Sequence, residues 1–153
     1  MKMTARSELY CAFAERFHAG KRLRAATAAQ LEEAEAALGV LWPESYRLFA
    51  MACGAVYTPG LLDLVLEKKP GFGAVQQFLT PKQSVTETRR WRLEPAGGCA
   101  AFASDSSGSF FAFRQLQGPR PDDAPVWLFD HEAGEFVEQA PGFDTWLSRY
   151  MTL

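Results

Sequence analysis

The chain has 153 residues, of which 48 % are hydrophobic and 22 % charged, a composition typical of one soluble globular domain. Its 16 basic and 18 acidic side chains give a net charge of −2, which argues against a protein held on nucleic acid by phosphate contacts. We therefore expect a single domain over residues 1–153 that binds no nucleic acid.

Three cysteines, Cys11, Cys53 and Cys99, are widely spaced and form no C-x-x-C pair, so neither a disulfide framework nor a zinc site is predicted. Charged residues interrupt the N-terminal segment, and no apolar run approaches the roughly 18 residues of a membrane span. We expect a cytoplasmic protein with no cofactor, no metal and no membrane contact, as a monomer or a weak dimer.

The first predicted element is a helix that begins close to the N-terminus. Ser7 is a candidate cap, and Tyr10, Phe13 and Phe17 recur at spacings that place them on one side of a helix. Gly20 is the predicted stop.

The second predicted helix opens at Thr27, whose hydroxyl and the Gln30 side chain have the spacing of a capping box. Its apolar residues face inward, whereas its glutamates, including Glu35, are expected to lie mostly outward or near the positive helix start. Gly39 is placed to end the helix in the left-handed conformation.

A tight apolar elbow over residues 40–43 joins this helix to a third one. Pro43 occupies the predicted first helical position, where its missing N–H has no intrahelical partner to lose. Tyr46, Phe49 and Cys53 follow at helical spacing, and Gly54 ends the run. The elbow is expected to pack directly against the core.

After residue 60 the pattern changes. Residues 61–66 form a short apolar run bounded by Pro-Gly pairs, which predicts a strand. Thr80 and Pro81 then predict the start of a helix over residues 81–92, which carries three arginines, Arg89, Arg90 and Arg92. This basic cluster fits a solvated helix face, and contact with phosphate or with an acidic partner is the alternative.

The second half of the chain predicts a sheet. Strands are expected over residues 99–103, 109–114, 125–130 and 135–138, and tight turns by composition favour antiparallel pairing. The segments 110–113 and 126–129 are apolar on both sides, so these two strands are expected to be covered on both faces.

A last amphipathic helix carries Phe143, Trp146, Leu147 and Tyr150 at helical spacing. The order of helices, strands and a final helix predicts an α+β fold. In this fold the N-terminal helices pack on a mainly antiparallel sheet of about four to six strands, and the C-terminal helix closes the structure.

No catalytic constellation is predicted. His131 lies between Asp130 and Glu132, but neighbouring strand residues point to opposite faces, so these side chains do not converge on a metal. A nucleophile pair of His131 with Cys53 or Cys99 is formally possible, although both cysteines lie in apolar patterns where buried, inert thiols are normal. An enzymatic function would depend on these isolated residues alone, so we expect the protein to have no enzymatic activity.

Charge is unevenly distributed along the chain. Residues 1–69 carry a net charge of +1 and residues 70–103 of +2, whereas residues 104–153 carry −5. A solvated face explains this pattern, and so does a surface that attracts a basic partner. The candidate partner-binding residues are Asp105, Asp122, Asp123, Asp130, Glu132, Glu135 and Glu138.

Residues 31–49 contain an acidic helix, the pair Leu38-Gly39, the pair Trp42-Pro43 and an aromatic-containing helix. This order resembles the opening of the SUKH superfamily, which includes fungal cell-wall-synthesis regulators and many bacterial immunity proteins. Residues 102–111 and 126–132 are similar to the family's later strands, and residues 143–147 to its C-terminal helix. The sequence departs from the family at residues 53–55, Cys-Gly-Ala, where Asn-Gly-Gly is common.

The resemblance extends over residues 27–150 and implies a non-catalytic binding module that neutralises a cognate toxin, often a nuclease delivered between bacteria. The acidic last third suits a basic toxin. The alternative is a regulatory scaffold of the cell-wall-regulator type that binds other proteins without a toxin. An immunity gene is expected beside a toxin gene, and this neighbour distinguishes the two.

Overall fold

A computed structural model describes residues 4–93 and 98–153. Within these ranges the chain forms six helices and a five-stranded antiparallel sheet, which confirms the α+β fold. None of these helices is both long and apolar enough to span a membrane. In chain order the elements are α1 (Ala5–Phe17), α2 (Ala28–Leu38), α3 (Glu44–Ala52), α4 (Leu61–Lys68), β1 (Gln77–Phe78), α5 (Pro81–Arg90), β2 (Ala100–Ser104), β3 (Phe110–Phe113), β4 (Val126–Asp130), β5 (Glu135–Ala140) and α6 (Phe143–Met151).

The five strands pair in chain order, β1-β2-β3-β4-β5, with every neighbouring pair antiparallel. Phe110 lies opposite Phe129, and Phe129 lies opposite Phe136, so an aromatic row crosses the last three strands. Strand β5 forms one edge of the sheet, and its outer side has no neighbouring strand in the described chain.

One face of the sheet packs against α1, α3 and α6, and the main aromatic core lies between them. Phe102 and Phe113 stack with ring centroids 4.3 Å apart, and Phe143 of α6 packs on them at 5.7 and 6.0 Å. Aromatic pairs of this kind each contribute roughly 0.5–1.5 kcal/mol beyond the area that they bury. This packing fixes α6 against the sheet.

Helix α5 covers only part of the opposite face. The buried Thr88 hydroxyl of α5 accepts a hydrogen bond from the Ala101 N–H of β2 at 2.9 Å. Farther along the sheet, Val126 is buried but the remaining residues of β4 are half-buried. The prediction of cover on both faces is therefore confirmed for residues 110–113, whereas in residues 126–129 only Val126 is fully buried.

The N-termini of α2 and α5 are both capped by a capping box. Thr27 Oγ1 accepts the Gln30 N–H at 3.1 Å, and Gln30 Oε1 accepts the Thr27 N–H at 3.0 Å, which confirms the predicted capping box. Thr80 and Gln83 repeat this arrangement at the start of α5. Gly39 ends α2 at a φ of 67°, as predicted.

The strand predicted over residues 61–66 is wrong, because this segment forms α4. Leu61 is buried whereas Leu62 and Leu66 are exposed, so burial does not alternate as it does in a strand. A run of six residues that is almost wholly apolar does not show its period in the sequence. Asp63 in the first turn and Lys68 in the last favour the helix through its dipole.

Smaller departures concern the ends of elements. Thr4, rather than Ser7, caps α1, and its hydroxyl accepts the Ser7 N–H at 3.1 Å. Pro43 directly precedes the first residue of α3 instead of occupying that position, and α5 ends at Arg90, two residues before its predicted end. The sequence does not predict β1, because a strand of two residues has no readable period.

Glu35 is buried, contrary to the outward position expected for it. Its Oε2 accepts hydrogen bonds from the Trp42 N–H and from Arg120 Nη1, both at 2.8 Å, and Arg120 also donates to the Trp42 carbonyl. These contacts satisfy the backbone N–H and carbonyl of Trp42 in the apolar elbow between α2 and α3. Glu35 lies four residues after the buried Leu31, on the inward side of α2.

Candidate partner-binding surface

The seven carboxylates expected to bind a partner fall into two groups in the structure. Four aspartates accept hydrogen bonds from other groups of the chain: Asp105, Asp122, Asp123 and Asp130. Three glutamates are exposed and form no ion pair with a described residue: Glu132, Glu135 and Glu138. The two groups therefore have different roles in the molecule.

Asp122 is held by Arg6 of α1. Arg6 Nη2 and Nη1 donate to its two carboxylate oxygens at 2.7 and 3.0 Å, while Arg6 Nε donates to Asp144 of α6 at 2.7 Å. The hydrogen bonds from Arg6 lower the pKa of Asp122 below its ordinary value. Asp144 also accepts the Tyr10 hydroxyl at 2.6 Å. Asp122 thus belongs to a network that joins α1 to α6.

Asp123 caps helix α6 from outside the helix. Its Oδ1 accepts hydrogen bonds from the Phe143 N–H at 2.8 Å, the Ala124 N–H at 2.8 Å and the Ser45 hydroxyl at 2.7 Å. The residue at the N-cap position itself is Gly142, which has no side chain to accept these protons. Asp123 therefore replaces the missing cap.

Asp105 and Asp130 stabilise the turns that follow β2 and β4. Asp105 Oδ1 accepts the N–H groups of Ser107 and Ser109, both at 2.9 Å. Asp130 Oδ1 accepts the Glu132 N–H at 2.9 Å. Short aspartate side chains commonly fix turns in this way, so both residues shape the loops that they lie in.

The β4–β5 hairpin carries the three remaining glutamates at the edge of the sheet. Glu132 lies in the turn, and Glu135 and Glu138 lie on the edge strand β5. Val137, between the last two, is 50 % exposed. We call Glu132, Glu135, Val137 and Glu138 the hairpin surface. Along β5, Glu135 and Val137 lie on one face of the sheet and Glu138 on the other, so the hairpin surface extends around the exposed edge of the sheet. No described residue neutralises its negative charge.

Partly exposed aromatic side chains lie on this hairpin and next to it. Phe136 of β5 and Phe129 of β4 pack with ring centroids 5.1 Å apart, and Trp91, which is 37 % exposed, packs on Phe129 at 6.4 Å. The Arg114 guanidinium lies 4.4 Å from the centre of the Phe136 ring, a cation–π contact. We call Trp91, Phe129 and Phe136 the aromatic patch. It is absent from the sequence prediction because Phe129 and Phe136 lie in predicted strands, whose apolar residues are expected in the core.

Residues 25–149 match the SMI1 / KNR4 family (SUKH-1). The chain belongs to this family. The match covers most of the chain, including α2–α5 and the whole sheet, and confirms the resemblance seen in the sequence. Proteins of the SUKH-1 family are immunity proteins or SMI1/KNR4-like proteins, which are generally not catalysts. No curated protein matches the chain.

The buried cysteines of this SUKH-1 chain do not form a nucleophile. Burial raises the pKa of Cys53 and Cys99 to about 12, so both thiols stay protonated at neutral pH. Cys53 Sγ lies 3.6 Å from the Tyr10 carbonyl oxygen, whereas His131 Nδ1 lies 2.9 Å from Ser109 Oγ. Across residues 4–93 and 98–153, no group of three His, Cys, Asp or Glu side chains is placed to hold a metal ion.

Proposed function

We propose that this chain is an immunity protein that binds and neutralises a cognate bacterial toxin domain. The match to the SUKH-1 family over residues 25–149 carries the proposal. The protonated state of the buried thiols supports action by binding rather than by covalent catalysis. The chain occupies a surface of the toxin and so prevents its activity.

The hairpin surface is the proposed centre of toxin contact. Glu132, Glu135 and Glu138 are available to cations of a basic toxin because no described residue of the chain neutralises them. Close charge pairs across an interface couple by about 1.5–7 kcal/mol and speed association. A toxin that is a basic nuclease has the charge that fits this surface.

The aromatic patch supplies the apolar part of the proposed interface. Stable interfaces bury about 800 Å² on each partner, and their strongest contacts are often aromatic. Phe129 and Phe136 lie on the hairpin, Trp91 packs against Phe129, and all three side chains are partly exposed. Asp105 and Asp130 contribute by holding the neighbouring turns, while Asp122 and Asp123 contribute through the fold.

Co-purification tests the function itself. The full chain, carrying an affinity tag, is expressed together with the product of the neighbouring gene, and the growth of the host cells is recorded with and without the chain. We expect a stable complex, and growth that is restored when the chain is present. A neighbouring product that is harmless, or that remains toxic despite the chain, contradicts the proposal.

A second candidate is a non-catalytic regulatory scaffold of the cell-wall-regulator type. The matched family supports it because the SMI1/KNR4-like members belong to the same family. A scaffold binds proteins of its own cell and has no toxin gene beside its own. The same experiment separates the two candidates, because a scaffold gives no protection against a neighbouring gene product.

A further inference from the structure

A cleft of about 880 Å³ lies between α2 and α5, and it shares no residue with the hairpin surface. Its volume falls within the range of protein ligand sites, about 300–1,000 Å³. The two helices supply most of its sides. Small or apolar residues complete the lining: Ala25, Ala26, Ala50, Gly54, Ala55 and Leu79.

The two helices that form the cleft run in the same direction. Their capping residues Thr27 and Thr80 both line it, and near the other end Arg89 Nη2 donates to the Ala37 carbonyl oxygen at 3.0 Å. The positive ends of both helix dipoles therefore lie at the same end of the cleft. Their fields add there, which favours a negatively charged occupant.

Basic side chains strengthen this field. Arg24 and Lys82 line the cleft close to the two helix starts, and neither forms an ion pair with a described residue. The first turns of α2 and α5 carry no acidic residue. The other four helices have one each, namely Glu8, Glu44, Asp63 and Asp144. Among the lining residues, Glu33 alone is acidic, against three basic ones.

We infer that this cleft binds an acidic, extended segment of a partner polypeptide. The α2 wall from Thr27 to Ala37 spans about 15 Å, the length of roughly four or five extended residues. Ala34, Ala37 and Val85 add apolar sites to a lining that also carries cations, which suits a segment that has both acidic and apolar side chains. A nucleic-acid strand is disfavoured because the chain as a whole has a net charge of −2, whereas proteins held on nucleic acid by phosphate contacts are basic.

This site is independent of the proposed toxin contact. The hairpin surface is acidic and fits a basic partner, whereas the cleft is basic and fits an acidic one. A variant that removes binding at the cleft should leave binding at the hairpin surface unchanged, and the reverse. The two proposals can therefore be contradicted independently.

Fluorescence anisotropy tests the cleft with the full chain at low ionic strength. The probe is a fluorescein-labelled hexapeptide of alternating glutamate and leucine, compared with the same peptide that has glutamine in place of glutamate. We expect the acidic peptide to bind about ten-fold more tightly or better. The double variant Arg24→Glu/Lys82→Glu should weaken its binding by about ten-fold, whereas Lys21→Glu/Arg22→Glu, with the same change in charge outside the cleft, should change it by less than about two-fold.

A second pair of variants tests the cleft without changing charge. Ala37→Trp fills the cleft and should weaken peptide binding about five-fold or more, while Ala29→Trp, an exposed position of α2 outside the lining, should leave it unchanged. Circular dichroism confirms that the variants are folded. The proposal is overturned if the acidic peptide does not bind, or if the two variants of each pair have equal effects. It is also overturned if the chain self-associates and Arg24→Glu/Lys82→Glu abolishes this self-association but does not weaken peptide binding.

Discussion

Asp123 holds the N-terminus of α6 although it lies 20 residues before the first residue of that helix. Its carboxylate collects N–H and hydroxyl protons from the Phe143 backbone, the Ala124 backbone and the Ser45 side chain. Asp122, its neighbour, is committed to Arg6 instead. Two adjacent aspartates that look alike in sequence thus connect different parts of the fold.

Removal of the Asp123 carboxylate should destabilise the protein. Asp123→Ala leaves buried donors without an acceptor, which costs about 1–3 kcal/mol in the free energy of unfolding. Glu132→Ala, which removes an exposed carboxylate with no ion-pair partner in the described chain, should stay within about 0.5 kcal/mol. Urea denaturation measures both. Equal stability of the two variants would mean that Asp123 is not a structural cap.

Glu35 shows what residue-level patterns can and cannot predict. Charged residues are almost never fully buried unless they are paired, so the sequence pattern predicts an outward position for Glu35. The helical period nevertheless places Glu35 on the same side as Leu31 and Ala34. Its partner Arg120 lies 85 residues later in an irregular loop, and no local pattern predicts that pairing.

At the scale of elements, Gly54 fixes how the end of α3 meets the segment before α2. A Cβ atom at this position would lie 1.9 Å from the Arg24 carbonyl oxygen, and the residue has a φ of +81°. Ala26 N also donates to the Ala50 carbonyl at 2.9 Å, so the two backbones run in direct contact. Gly54 therefore allows an approach that no other residue permits.

Gly54→Ala should be far more costly than another glycine substitution at positive φ. Gly39→Ala, at a φ of +67° with open space around it, should cost about 1–2 kcal/mol from backbone strain alone. Gly54→Ala adds the separation of two packed backbones, and we expect a loss of more than about 3 kcal/mol. Thermal unfolding of both variants measures the difference. Equal melting temperatures would contradict the close approach.

Elements with chemical start and stop signals are predicted well from this sequence. The capping box at Thr27, the left-handed Gly39 and the four main strands all lie within a few residues of their predicted places. The failures are α4 and β1, whose sequences carry no period that distinguishes a helix from a strand. The three glutamates of the hairpin surface are among the seven candidate carboxylates, but the sequence does not show which of the seven accept hydrogen bonds within the fold.

At the scale of the whole molecule, the reactivity of the three cysteines shows whether a thiol reagent can reach the core. Cys11 is exposed, whereas Cys53 and Cys99 are buried, and burial raises the pKa of both buried thiols to about 12. At pH 8 we expect one thiol to react with a thiol reagent in seconds to minutes, and the other two only on unfolding. Mass spectrometry counts the labels. Rapid labelling at three sites would show that the core opens readily.

Charge is also divided across the whole molecule. The net charge of −2 combines an acidic hairpin at one edge of the sheet with a basic cleft between α2 and α5. The amino-acid composition gives only the net charge of the chain. The positions of the charged residues along the sequence show only that the last third is acidic. In the fold, four of the seven candidate carboxylates accept hydrogen bonds from other groups of the chain. The other three, Glu132, Glu135 and Glu138, are exposed and form the proposed toxin contact.

The affinity of the chain for the proposed cognate toxin tests this account most directly. Isothermal titration calorimetry compares two triple variants with the same net charge: Glu132→Lys/Glu135→Lys/Glu138→Lys in the hairpin surface, and Glu15→Lys/Glu32→Lys/Glu67→Lys at exposed positions elsewhere. The hairpin variant should bind about a hundred-fold more weakly, and the control variant should stay within about three-fold of the unchanged chain. Equal affinities of the two variants would contradict a toxin contact at the hairpin surface.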